Sequence, residues 1–217
     1  MKNSTAYHNM ISQQLRTGGI TQEALLYLYE RFPREDFVPD AYKNFAYSDM
    51  RIPLDHMQHM LTPLEEALMI QALALTGQEV ILEIGTGSGF FTAMLSYYCK
   101  HVYSVDFFES FTAEATKKLA DHNVKNVSLI TDNAVNGWMN KAPYDIIVYT
   151  GAVRALTEAQ ILEILPGGKL LTLISNGLVV TAEIHSLDHN NNWQVRQLFE
   201  TNTALLIDPN NRPEFVF

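Results

Sequence analysis

The run Ile81-Leu-Glu-Ile-Gly-Thr-Gly-Ser-Gly-Phe-Phe91 joins an apolar strand pattern to a glycine-rich turn and then to a helical pattern. In an open α/β sheet such a junction receives a nucleotide-type cofactor, because glycines let the backbone approach the ligand and the helix presents its N-terminus to it. Gly85, Gly87 and Gly89 follow G-x-G-x-G, without the third glycine at the spacing of the dinucleotide fingerprint G-x-G-x-x-G, which weakens an NAD reading. Glu83, two residues before the first glycine, is placed to hold the ammonium group of an amino-acid-bearing cofactor. S-adenosylmethionine meets that requirement.

A second acid points the same way. Val102-Tyr-Ser-Val-Asp106 reads as the next strand and ends in Asp106, 21 residues after Gly85, where a carboxylate accepts hydrogen bonds from ribose hydroxyls. The ordinary alternatives are a strand-turn-helix that needs glycine only for positive φ, and an Asp106 that merely caps the following helix.

Outward from this stretch, apolar strands alternate with helices: strand 79–84, helix 89–99, strand 101–106, helix 109–121, strand 126–130, strand 144–150, helix 157–164 ended by Pro166-Gly167-Gly168, and strand 169–175. Alternation of this kind predicts a doubly wound, mostly parallel sheet, with the continuously apolar 144–150 run central in it. Residues 178–187 and 193–201 read as two more strands joined by His189-Asn190-Asn191-Asn192, an antiparallel C-terminal hairpin that brings the total to seven. Before the sheet, two helical patterns over about 7–31 break at Gly18-Gly19, with Thr21 as N-cap of the second. Phe32 to Pro39 reads as a turn-rich connection, and Ala46 to His59 as an irregular, lid-like segment around Pro53. Thr62-Pro63-Leu64-Glu65 has the form of a capping box that opens a helix to about Leu75. The expected organisation is one domain over 1–217: an N-terminal helical, substrate-side extension over 1–62 and a cofactor-binding α/β core over 63–217.

Composition narrows the function classes. A net charge of -9 without a Lys/Arg cluster argues against nucleic acid as a partner. No run of eighteen apolar residues predicts a membrane span, and Met1 to Met10 is polar, so a soluble protein of the reducing cytoplasm is expected. Cys99, the single cysteine, reads as a buried small apolar residue near a helix end. The seven histidines show no ligand spacing, so no metal is expected.

The order of motifs resembles the class I S-adenosylmethionine-dependent methyltransferases, and within them the protein-L-isoaspartate O-methyltransferases. Besides Leu82 to Gly89, the resemblance rests on Met10-Ile-Ser-Gln-Gln-Leu-Arg16 with Gly19-Ile20, Pro33-Arg-Glu-Asp-Phe-Val-Pro39, Ala46-Tyr47 with Asp49, Ile52-Pro53-Leu54, and Ala142-Pro-Tyr-Asp145. It covers nearly the whole chain, and the segments before the sheet are the family-specific ones. It implies a Rossmann-like methyltransferase sheet and a cofactor pocket of Glu83, Gly85, Thr86, Gly87 and Gly89. In that pocket Asp106 lies on the ribose and Asp132-Asn133 beside the adenine. Asp132 follows the 126–130 strand at the ligand-binding edge, although Thr131-Asp-Asn133 also suits a plain turn. Phe107 is placed to pack on adenine or to be core.

The acceptor segment departs from the family. Where the family has G-Q-T-I-S-x-P, this chain has Met57-Gln-His-Met-Leu-Thr-Pro63, with Leu61 at the position of the serine that contacts the substrate carboxylate, His59 at the threonine and Met57 at the glycine. Three side chains are candidates near the acceptor. His59 offers a hydrogen bond or a base, Thr62 a hydroxyl that also suits helix capping, and Arg154, after the 144–150 strand, a cation for a carboxylate. Each has a plain alternative as a solvent-facing or capping residue. Leu61, Met57 and Met60 make the expected pocket more apolar than a peptide-carboxylate site needs. Three functions follow: methylation of isoaspartyl carboxylates in damaged proteins or peptides, methylation of another carboxylate or hydroxyl acceptor such as an apolar small molecule, and cofactor binding without transfer.

Overall fold

The computed structural model describes residues 4–187 and 193–209. Seven strands form one sheet in the order β3-β2-β1-β4-β5-β6-β7: β1 Val80–Ile84, β2 His101–Asp106, β3 Val127–Thr131, β4 Tyr144–Val153, β5 Ile164–Ser175, β6 Val180–Leu187 and β7 Trp193–Thr201. The pairs among β1 to β5 are parallel, and β5-β6 and β6-β7 are antiparallel. The doubly wound sheet with its antiparallel C-terminal pair is therefore present. The His189–Asn192 link lies outside the described residues.

The helices are α1 Ser4–Asn9, continued by a π-helical stretch Met10–Leu15, α2 Glu23–Arg31, α3 Pro63–Leu73, α4 Phe90–Tyr97, α5 Glu109–Asp121 and α6 Glu158–Leu162. Thr21 does not cap α2; Gln22 occupies that position and makes no side-chain cap bond. At α3 the capping box is complete, Thr62 Oγ1 accepting from the Glu65 amide and the Glu65 carboxylate from the Thr62 amide. Helix α4 is shorter than its apolar pattern and leaves Cys99 buried just beyond it, where burial pushes its thiol up to about 12.

Two strands run further than their patterns, β4 to Val153 and β5 from Ile164. β5 starts at Ile164, upstream of Pro166-Gly167-Gly168, because Tyr144 pairs with Ile164 before the register shifts. Gly168 passes so close to β4 that a Cβ there would lie 2.7 Å from the Asp145 carbonyl oxygen. The glycine pair that reads as a terminator thus lies inside a strand, with Gly168 at the close approach to β4 and Gly167 in open space at φ 82°.

β1 alternates between two cores, with Ile81 in one and Leu82 and Ile84 in the other. Burial on both faces explains its unbroken apolar run. The first core joins the sheet to residues of the N-terminal segment, among them Leu28, Tyr29, Phe37 and Ile52, and to Ala67, Ile70 and Leu73 of α3. Segment 4–62 and the sheet therefore share one interior. Its least expected members are charged: Arg34 is fully buried and forms a two-pronged pair with Glu66 of α3, Nε to Oε2 at 3.1 Å and the other arm to Oε1 at 3.2 Å. Arg34 also donates to the carbonyls of Ala46 and Leu61. This pair fixes the entry of α3 against the turn-rich connection.

Candidate active site

The strand order reverses between β1 and β4, which is where open α/β sheets bind ligands beyond their carboxyl ends. At that point Gly85 turns with φ 102°, and a Cβ on it would stand 2.3 Å from Thr150 Oγ1. Thr150, at the end of β4, donates its hydroxyl to the Gly85 carbonyl at 2.5 Å. Glycine is thus required by approach as well as by dihedral. Gly87 and Gly89 also have positive φ, and Gly89 opens α4.

Asp106 ends β2 facing this loop. Its Oδ2 accepts from the Gly87 amide and its Oδ1 from the Phe108 amide, both at 2.9 Å. Burial pushes the carboxyl above its ordinary range, and the amides of Gly87, Phe108 and Thr86 oppose that rise. Each oxygen keeps a second acceptor direction, as a pair of ribose hydroxyls needs. Asp106, Phe107, Asp132, Asn133, Gly85 and Gly87 line one cavity. Asp132 takes the Trp138 indole N–H on Oδ2 at 2.9 Å, and its amide donates to the Asp106 carbonyl at 3.0 Å. Thr86 lines an adjoining inner cavity, its hydroxyl 2.6 Å from Ser104 Oγ.

Glu83 is not beside these residues. It lies fully buried beneath the loop, outside the lining of both cavities, with Oε2 accepting from Thr92 of α4 at 2.6 Å, while Oε1 makes no hydrogen bond of normal geometry among the described residues and the Ser104 hydroxyl lies near the carboxylate. Burial pushes its carboxyl up to about 8.

Segment 53–61, which the family resemblance implies is on the acceptor side, borders the inner cavity through Leu54 and His59 to Leu61. A bridge between Pro53 and His59 closes a loop in which His56 and Met57 both adopt φ 57°. Met57 thus carries a side chain in the left-handed conformation where the resembling family has glycine. That side chain is 92% exposed, so Met57 does not contribute to the apolar pocket wall. Met60 and Leu61 do, lining the inner cavity with Leu54 and Phe91. The His56 ring stacks on Phe108 at 3.8 Å with 2° between planes, and its Nε2 is 3.0 Å from Ser110 Oγ, so the loop is held against the start of α5.

His59 lines both cavities, and its ring is committed. Nε2 accepts the Ala204 amide at 3.1 Å, leaving the proton on Nδ1, which faces the Met60 carbonyl at 3.3 Å. Burial and nearby Arg51 lower its pKa and keep it neutral. Thr62 caps α3 and lines neither cavity. Arg154 is exposed and lines a separate outer cavity of about 620 Å³, which Phe107 shares with the main one.

Sequence reasoning missed Thr150, Leu206 and Glu66. Leu206 belongs to the segment after β7, which crosses β4 through Ala152–Ala204 and Leu206–Ala152 backbone bonds, each 2.8 Å, and enters the main cavity. Glu66 faces the inner cavity. The one signal available was its place in a helix apolar on all sides, where a carboxylate needs a partner. Among the described residues, no group of three or more His, Cys, Asp or Glu side chains is arranged to hold a metal ion.

The reversed strand order, the glycine cradle at the end of β1 and the acid at the end of β2 define a class I S-adenosylmethionine-dependent methyltransferase. The model of the protein-L-isoaspartate(D-aspartate) O-methyltransferase family matches residues 5–205. Similar curated proteins include protein-L-isoaspartate O-methyltransferase 2 of Pelobacter propionicus, 36% identical over 162 residues covering 75% of this chain and 72% of that one. The protein-L-isoaspartate O-methyltransferase of Photobacterium profundum is 32% identical over 184 residues, covering 85% and 88%. Among solved structures, one from Plasmodium falciparum, described as such a methyltransferase in complex with S-adenosyl-L-homocysteine, superposes with a TM-score of 0.78 over 95% of this chain and 99% of that one at 14% identity, which shows the shared fold. The chain belongs to the protein-L-isoaspartate(D-aspartate) O-methyltransferase family.

Proposed function

We propose that this chain methylates the free carboxylate of isoaspartyl residues in damaged proteins, using S-adenosylmethionine. The observation that carries this reading is the glycine–Asp106 cradle beside a cavity walled by Leu54, Met60 and Leu61. When bound, the cofactor supplies an electrophilic methyl group on a sulfonium. In this reading Gly85, Thr86, Gly87 and Gly89 form the cradle, Asp106 holds the ribose, and Phe107, Asp132 and Asn133 surround the adenine.

The free α-carboxyl of an isoaspartyl residue, with an ordinary pKa of about 3.3–3.7, is ionised at neutral pH, so no proton has to be removed from it. That suits a cavity in which the His59 ring already accepts a backbone amide. The work left to the protein is orientation and exclusion of water, tasks for Leu54, Met60 and Leu61. In this reading Arg154, which lines the outer cavity, meets the flanking peptide of a protein substrate, away from the inner cavity. Action on damaged proteins in the cytoplasm accords with a net charge of -9 and with the absence, among the described residues, of a helix long and apolar enough to cross a membrane.

Leu61 supports a second reading. Leu61 is buried and lines the inner cavity; it occupies the sequence position that the resemblance assigns to a serine contacting the substrate carboxylate, and an apolar wall there favours another carboxylate or hydroxyl acceptor, including an apolar small molecule. Transfer of labelled methyl from S-adenosylmethionine to an isoaspartyl peptide, with the normal aspartyl peptide as control, decides between them. Selective, base-labile labelling is the expected result. Confirmed cofactor binding with no labelling refutes the isoaspartyl reading; labelling of another acceptor then supports the second, and none on any acceptor means binding without transfer.

A further inference from the structure

Among the described residues lining the inner cavity, Glu66 supplies the one carboxylate. We infer that this carboxylate, held in place by Arg34, binds the α-ammonium group at the amino-acid end of the cofactor, the task that chain position alone assigns to Glu83. The inference rests on the reading that the chain binds S-adenosylmethionine.

Placement comes first. Ribose on Asp106 and adenine beside Asp132 and Asn133 put the adenosine in the main cavity. The amino-acid arm leaves the ribose the other way, past Gly85, Gly87 and Thr150, which line the main and the inner cavity alike. The carboxylate it meets there is Glu66, because Glu83 points beneath the loop toward Thr92 and lines neither space.

Geometry and charge agree. Arg34 grips both oxygens of Glu66 and spends its remaining contacts on the carbonyls of Ala46 and Leu61, so the carboxylate is oriented before any ligand arrives. Each oxygen retains an acceptor direction for a further N–H. The Arg34–Glu66 pair is neutral as a whole, and the zwitterionic end of the cofactor adds no net charge to it. Even with Arg34 beside it, burial pushes the Glu66 carboxyl up to about 7, so a second cation has ionisation left to stabilise. Pairing with the ammonium also masks a negative charge that faces the cavity next to Leu61. A carboxylate acceptor therefore meets less repulsion once the cofactor is in place.

Calorimetric titration of the full chain with S-adenosylhomocysteine and with 5′-methylthioadenosine, which keeps the adenosine and sulfur but lacks the amino-acid portion, tests this. In Glu66→Gln, S-adenosylhomocysteine should lose at least tenfold in affinity while 5′-methylthioadenosine stays within twofold. Unchanged affinity for S-adenosylhomocysteine, or equal losses for both ligands, overturns the inference. Should Glu66→Gln fail to fold with Arg34 unpaired, carbon-13 NMR titration of Glu66 in the unaltered protein replaces it. Saturation with S-adenosylhomocysteine should lower the Glu66 midpoint and saturation with 5′-methylthioadenosine should not; an unmoved midpoint overturns the inference. An unaltered protein that binds neither ligand refutes the cofactor reading itself, and this inference with it.

Discussion

Nε2 of His59 accepts the backbone N–H of Ala204 at 3.1 Å, joining the loop closed by the Pro53–His59 bridge to the segment after the last strand across 145 positions of sequence. This bond requires a neutral ring, and Thr203 and Leu206 of the joined segment line the main cavity together with His59.

His59→Ala should free that segment. A neutral side-chain hydrogen bond contributes about 1 kcal/mol, so the global loss of stability is small. The acceptor KM should rise several-fold with kcat changed less, and hydrogen exchange at the Ala204 amide should accelerate. Unaltered exchange there would show that the bond does not hold the segment. Acidification should mimic the substitution. The folded pKa of His59 lies below its ordinary 6.5, so the stability that depends on the neutral ring is present above that value and is lost as pH falls through the lowered pKa. Arg51, which lowers that pKa, and Glu65, which raises it, are the charged groups facing the ring.

Arg34→Ala leaves the Glu66 carboxylate buried without its partner. Removing one member of a buried pair costs about 3–5 kcal/mol, to be read as a fall in the urea midpoint. Arg34→Lys should recover only part of it, since an ammonium cannot reach both Glu66 oxygens and the carbonyls of Ala46 and Leu61 together.

Asp106→Asn should weaken S-adenosylhomocysteine and 5′-methylthioadenosine alike, by about tenfold or more, because a charge-assisted contact of roughly 1.5–3 kcal/mol falls on the ribose that both ligands share. A loss confined to one ligand would contradict the assignment of Asp106 to the ribose.

Glu83 predicts a pH dependence of opposite sense to that of His59. Its ordinary value of 4.5 rises to about 8 on burial, so the stability contributed by the protonated form is complete below 4.5 and is lost as pH climbs through 8. Glu66, raised to about 7, acts in the same direction. Tm of the ligand-free protein should fall between pH 5 and pH 8, and Glu83→Gln should flatten part of that slope. A variant with the same slope as the unaltered protein would place the titration elsewhere.

Leu61→Ser returns a hydroxyl to the acceptor wall. A gain in isoaspartyl methylation of tenfold or more is expected if only that contact is missing, alongside a stability loss of about 2–4 kcal/mol for exchanging a buried leucine for a smaller polar side chain. Labelled-methyl transfer and urea unfolding measure the two. No gain in a folded variant would mean that the cavity differs more widely.

Much of this molecule is written locally. The Ile81–Phe91 run, the 109–121 helix and the Thr62–Glu65 capping box are decided by residues within a turn or a strand of one another, and each is found where its pattern places it. Alternation of strands and helices likewise sufficed for a parallel sheet with a reversed C-terminal pair. Tertiary structure decided what depends on distant partners. Pro166-Gly167-Gly168 became part of a strand because Tyr144 pairs with Ile164. Met57 turned to solvent because its loop closes through a left-handed turn. The Glu83 carboxylate went beneath the loop to Thr92, whereas Glu66 came to the cavity because Arg34, 32 positions earlier, holds it there. Local pattern specifies which residues form an element and which of its faces is apolar; where a buried charge finds its counter-charge depends on how the elements pack.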